Sequence, residues 1–361
     1  MGWVMNQHKA LLVLFIWFVL AGRDVFADAL SMVYNAALEG DMVKAFSALD
    51  AIDPRQLGRE DTIAADCMRR TFAAPPEVEP LPPLSQSILT AYRHYWQTVM
   101  LRQLPKVDAE RELLSELNRI LAGKVEGVAS SAGLDAASQR AREAIEKEGL
   151  FALTGVTSPY YELMIWKTQC KKRYCVKLPE RAITVNVVFL DGFVSLGWAS
   201  FATCGRYHSG GWSTQDTLFA LKSAYDTESE EFRVSYLAHE ARHFSDYKEY
   251  PKLEQPELEY RAKLTEIAVS KTSTHDLITD FAERTGLDRT VPHHYANYWV
   301  AKDLSREVFN SNDIIHDAEK WRKVSAGLLR RRARKLLREN DSFLRRSAAM
   351  SIDRFLGQGK R

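Results

Sequence analysis

Apolar residues in the first part of the chain recur three and four positions apart, the spacing of a helix that buries one face. Leu30, Val33, Tyr34, Ala37 and Leu38 follow it, Glu39-Gly40-Asp41 marks a turn, and Met42 to Leu49 resumes it. This predicts a helical hairpin over residues 28–73, with no second copy at a fixed period to signal a repeat array. Residues 74–83 hold five of the twelve prolines. So dense a run is incompatible with a helix and reads as an extended connector. Helical spacing returns over 84–149, through Ile88 to Tyr92, Leu113 to Leu117 and a polar stretch from Asp135 to Glu148.

From Leu150 the period shifts towards two. Tyr160–Lys167 and Tyr174–Leu178 read as one pair of strands, and Ile183–Leu190 and Phe193–Trp198, joined by Asp191-Gly192, as a second. Helical pattern then takes over. Thr227 and Glu230 are spaced as a capping box, with Asp226 adding negative charge at the helix start. That helix should end near Tyr250-Pro251, a second should follow Pro256, and helices should continue to the C-terminus. Strands followed by helices predict an α+β fold, predominantly helical, with a small, mostly antiparallel sheet ahead of the site-bearing helices.

The N-terminus changes the expected compartment. Met1 to Lys9 is short and positively charged, Ala10 to Ala21 is unbroken and apolar, and Val25-Phe26-Ala27 has small residues where a signal peptidase cuts. Residues 1–27 are therefore expected to be a signal peptide, leaving an exported chain, periplasmic or secreted. Twelve apolar residues fall short of the roughly 20 that span a bilayer, and no transmembrane segment is expected afterwards. All four cysteines follow the leader, as an oxidising compartment favours. The spacing suggests Cys170 with Cys175 across a turn at Lys171-Lys172-Arg173, leaving Cys67 for Cys204, among three possible pairings.

Net charge is only +2, but residues 320–361 carry 14 Lys or Arg against 3 Asp or Glu. Trp321, Val324, Leu328, Leu329, Ala333, Leu336 and Leu337 alternate with this charge as a basic amphipathic helix. It suits docking on the domain or an anionic surface; without a base-reading motif it implies no specific nucleic acid.

The candidate chemistry lies in His239-Glu240-Ala241-Arg242-His243, an H-E-x-x-H pattern expected by accident roughly once per hundred chains of this size. On a helix, residues four apart stack on one face, so His239 and His243 can grip one metal ion. Glu240 is placed to take a proton from a water activated there. Two histidines need a third protein ligand and an open position.

Here the sequence resembles the zincin metallopeptidases, in particular the gluzincins, over about Ser229 to Glu266. The resemblance implies one zinc ion per chain, a catalytic domain over 150–319, and hydrolysis of peptide bonds in a peptide or protein substrate. It also implies a third ligand from the following helix, best matched by Glu259 in Glu259-Tyr260-Arg261-Ala262, with Glu257 and Glu266 as rivals. The chain departs from the family at Lys263, where many gluzincins place an acidic residue that orients a histidine; Glu266 is the candidate for that role. The metzincin pattern fits less well, since Asp246 and Glu249 stand where it needs glycine and histidine. His293, His294, Tyr295 and His208 are candidate oxyanion donors outside the catalytic core, and Ser209-Gly210-Gly211-Trp212 is a turn or a lip beside the cleft. The alternative is a non-catalytic helical binding protein with a degenerate or structural metal site; hydrolysis of a non-peptide substrate is a further possibility.

Overall fold

The structure, a computed structural model, describes residues 30–74, 80–122, 133–214, 217–347 and 353–357. The expected leader over 1–27 lies outside the described residues, as do residues 75–79 of the proline-rich connector. The first helices are α1 (Ser31–Leu38), α2 (Met42–Asp50), α3 (Arg59–Ala73), α4 (Pro83–Met100), α5 (Lys106–Leu121) and α6 (Leu134–Lys147). The α1–α2 turn works because Gly40 adopts φ +81°, a conformation that suits glycine, and the Asp41 carboxylate caps α2 by accepting from the Lys44 N–H at 2.9 Å. Tyr160 donates to the Gly40 carbonyl at 2.7 Å and fastens the hairpin to the sheet.

The strands are β1 (Phe151–Thr157), β2 (Tyr160–Lys177), β3 (Ala182–Leu196), β4 (Gly211–Ser213) and β5 (Thr217–Leu221), with a short helix α7 (Trp198–Ala202) after β3. Their order is β1-β2-β3-β5-β4, antiparallel except for the parallel β3–β5 pair. The fold is α+β and mostly helical. Two local expectations need correction. The segments read as two strand pairs are the halves of two long strands, β2 and β3, which pair with each other. Asp191-Gly192 turns no hairpin; it lies within β3, opposite Thr168.

The same finding removes the Cys170–Cys175 disulfide. Lys171-Lys172-Arg173 is mid-strand, so the two cysteines are five residues apart along β2, about 16 Å at strand rise. A disulfide needs Cα atoms within roughly 7 Å. Both are free, exposed thiols. Cys67 and Cys204 do form a disulfide, with Cα atoms 6.1 Å apart.

One hydrophobic core runs from the N-terminal helices into β1, the start of β2 and α7. A second gathers the C-terminal half around α9 (Gln255–Val269), with α10 (Thr274–Glu283), α11 (Pro292–Phe309), α12 (Ala318–Arg322) and α13 (Ala326–Ser347). The apolar stripe of the basic helix, including Leu329, Ala333, Leu336 and Leu337, is buried there. Arg334 donates to the Ala268 carbonyl, and Arg330 to those of Ser270 and Lys271, where a helix end is negative. Between the cores, the motif helix α8 (His239–Glu249) continues a π-helical stretch, Phe232–Ala238. The expected Thr227–Glu230 box does not form. Ser229 caps instead, accepting from the Phe232 N–H at 3.0 Å, because Glu230 is drawn away to the amides of Lys271 and Thr272.

Candidate metal centre

The site is built on α8 and α9, which pack side by side. Helix α9 is buried on every side from Pro256 to Ala268, yet this stretch carries Glu257, Glu259, Arg261, Lys263 and Glu266. Buried charges need partners, and these partners sort the helix by function. Glu257 is engaged by Arg289 at 2.8 and 3.0 Å and by the backbone N–H groups of Phe355 and Leu356. Arg261 binds Asp246 of α8, Asn340 and Asp341. Lys263 stacks its ammonium over the Phe281 ring, 4.5 Å from the centroid. Glu259 and Glu266 are left to face the motif.

His239, His243 and Glu259 converge, fully buried, with one ligand atom from each within 4.8 Å of the others. The two Nε2 atoms are 3.0 Å apart, and each lies 3.4 Å from an oxygen of Glu259. A tetrahedral ion with bonds of about 2.0–2.1 Å spaces its ligands by roughly 3.3 Å. The donor set and the spacing fit a metal ion. Glu266 holds the Nδ1 of His239 at 2.7 Å, which leaves Nε2 pointing at the centre; partners of this kind fix a ligand's orientation. Glu257 is placed elsewhere by Arg289, and Glu266 sits behind His239.

Electrostatics carry the same message. Burial lowers the basicity of His239, but Glu259 and Glu266 outweigh it and push the imidazole up to about 10. Burial likewise opposes ionisation of Glu259, yet His293 and His239 hold its carboxyl well below the usual range. This pocket attracts positive charge. Glu240 is 2% exposed, and its Oε2 has no hydrogen-bond partner among the described residues. Burial raises its pKa against the pull of His243 and His239. The orphaned oxygen gives Glu240 capacity to accept a proton from a guest molecule.

The structure also brings His293, at the start of α11, to the site: its Nδ1 is 2.9 Å from Glu259, and its side chain is 36% exposed. The other candidate donors are not brought there. Tyr295 packs under Arg289, His294 is exposed beside Gly286, and His208 Nδ1 lies 3.1 Å from the neighbouring Ser209 carbonyl. Ser209-Gly210-Gly211-Trp212 leads into β4, where Gly211 lies close to Phe219 and to the Tyr236 hydroxyl. The tyrosines just before the motif are spent on packing: the rings of Tyr225 and Tyr236 lie 4.6 Å apart, and Tyr236 donates to the Phe219 carbonyl at 3.0 Å. Compared with protein families, curated proteins and solved structures, the chain matches none.

Proposed function

We propose that this chain is an exported zinc-dependent metallopeptidase of the gluzincin kind, with His239, His243 and Glu259 as ligands and Glu240 as general base. The observation that carries this reading is the buried His239–His243–Glu259 group beside a carboxylate with an unpartnered oxygen. Two imidazoles and a carboxylate with a fourth position open are a ligand set that catalytic zinc uses. When bound, it would polarise a substrate carbonyl and bring a water's pKa towards neutrality. Glu240 would take that water's proton, its burial having raised its proton affinity, and pass it to the leaving amine. Glu266 would keep His239 in the required tautomer. The export reading is supported by the Cys67–Cys204 disulfide.

The deciding experiment compares cleavage of a mixed peptide library by the zinc-loaded chain and by Glu240→Gln. The wild type should cleave and the variant should lose at least about a hundredfold in rate while still binding one zinc. Equal rates would end the peptidase reading.

One observation favours a second reading, a non-catalytic binding protein with a structural metal site. Both histidines and Glu259 are completely buried, and Glu240 nearly so, so a peptide bond reaches Glu240 only if the cleft opens. A chain that binds zinc tightly but, with Glu240 intact, cleaves nothing would favour this reading.

A further inference from the structure

The segment Lys167–Lys177 of β2 holds five basic residues and no acidic one. Strand β1 stops pairing with β2 at Trp166, so beyond that point β2 is an edge of the sheet among the described residues. Leu178 donates to the Arg181 carbonyl at 2.8 Å to close the β2–β3 hairpin. The alternation of an antiparallel ladder then turns the backbone groups of Val176 and Tyr174 towards β3, and those of Arg173, Cys175 and Lys177 outwards. Outward-facing groups of this kind are where an extended peptide adds to a sheet.

A cavity of about 620 Å³ runs beside the C-terminal part of this edge, between Tyr174–Lys177 and the π-helical stretch. Buried Val176 and Val234, with half-buried Val269, give it an apolar floor; exposed Lys177, Arg233 and Lys271 stand around it, and the one acidic lining residue, Glu230, has its carboxylate engaged by the Lys271 and Thr272 N–H groups. It is not the metal centre. None of His239, Glu240, His243 and Glu259 lines it; the groove is walled by β2, the π-helical stretch and the end of α9.

We infer that the groove between β2 and the π-helical stretch receives an extended acidic segment of a partner protein, which adds as a strand at Arg173–Lys177. Outward backbone groups supply the ladder, the apolar floor takes alternate side chains, and the lysines and arginines select carboxylates. The same charge argues against a second copy of this chain: two such edges, each with five positive residues, repel. The inference does not depend on the activity of the metal centre.

The test uses the full chain, zinc-loaded, with a labelled peptide of about ten alternating Glu and Val residues, the form that strand addition reads. Fluorescence anisotropy measures binding, and maleimide labelling of the free thiols reports protection. The peptide should bind and slow labelling of Cys175. Methylation of alternate peptide nitrogens should weaken binding at least tenfold, and a Lys–Val peptide should not bind. Cys175→Pro, which removes an outward N–H, should weaken binding at least tenfold with the unfolding temperature retained; should that variant fail to fold, the methylated peptide and the labelling rate decide alone. Equal binding of the methylated peptide, or its displacement by heparin, would make the strip a general polyanion surface and overturn the inference. So would no binding at all, or dimerisation of the chain through this edge.

Discussion

Lys263 and Glu266 stand three residues apart on α9 and do different work. Lys263 lies over Phe281, while Glu266 holds His239. Replacing Glu266 with Gln should leave both metal-facing histidines in place but loosen their orientation. Metal affinity should fall about 10- to 100-fold, measured by competition with a chelator; unchanged affinity would show that the Glu266 contact does nothing for the site. A second residue predicts pH dependence away from the centre. Glu162 is buried on β2, and burial pushes its carboxyl up to about 7 although the Trp198 and Leu163 N–H groups donate to it. The unfolded chain releases this proton near 4.5, so the native state binds the extra proton between the two values. Its stabilising effect is complete below about 4.5 and is lost as pH rises through 7, a change of about 3 kcal/mol. Urea unfolding across this range, beside Glu162→Gln, should show the slope in the wild type and its reduction in the variant.

Among the elements, α9 decides most of the site. Its Glu257 pairs with Arg289, Glu259 with His239, His243 and His293, and Arg261 with Asp246, while Lys263 lies over the Phe281 ring; Arg261 also ties it to both α8 and α13. Removing Arg261 as Arg261→Met strips buried Asp246 of its closest cation and leaves it only Arg242, 3.6 Å away, which should cost about 3 kcal/mol; thermal or urea unfolding measures it. Helix α9 also marks where the sequence was readable. The α+β class, the α1–α2 turn at Gly40 and the position of the motif helix follow from periodicity and turn chemistry, which are local. Glu259 was reached only through the resemblance to the gluzincins, and nothing local separated it from Glu257, because both lie on a helix whose every face is buried. Arg289 makes that separation from 30 residues away in sequence. The strand pairing failed for a related reason. Alternation marks strand residues but does not say where a strand ends, so Gly192, at φ +70°, passed for a hairpin turn. The cysteine pairing inherited that error.

At the scale of the whole molecule, a disulfide and, among the described residues, a buried group that could hold a metal ion join distant parts. The Cys67–Cys204 disulfide spans 137 residues and connects α3 to the turn after α7. Thiol titration of the folded chain should find two reactive groups, Cys170 and Cys175, and Cys67→Ser should cost about 2–4 kcal/mol; four reactive thiols in chain purified from an oxidising compartment would refute the link. No helix among the described residues is long and apolar enough to cross a membrane. The candidate ligand group His239, His243 and Glu259 lies at the interface of α8 and α9, and the functional proposal depends on its holding a metal ion. Elemental analysis of the purified chain after zinc repletion, beside His239→Ala, tests it most directly. The account predicts one zinc per chain and its loss in the variant. A wild-type chain that emerges metal-free would contradict it, leaving the histidines and Glu259 as a buried ion-pair network.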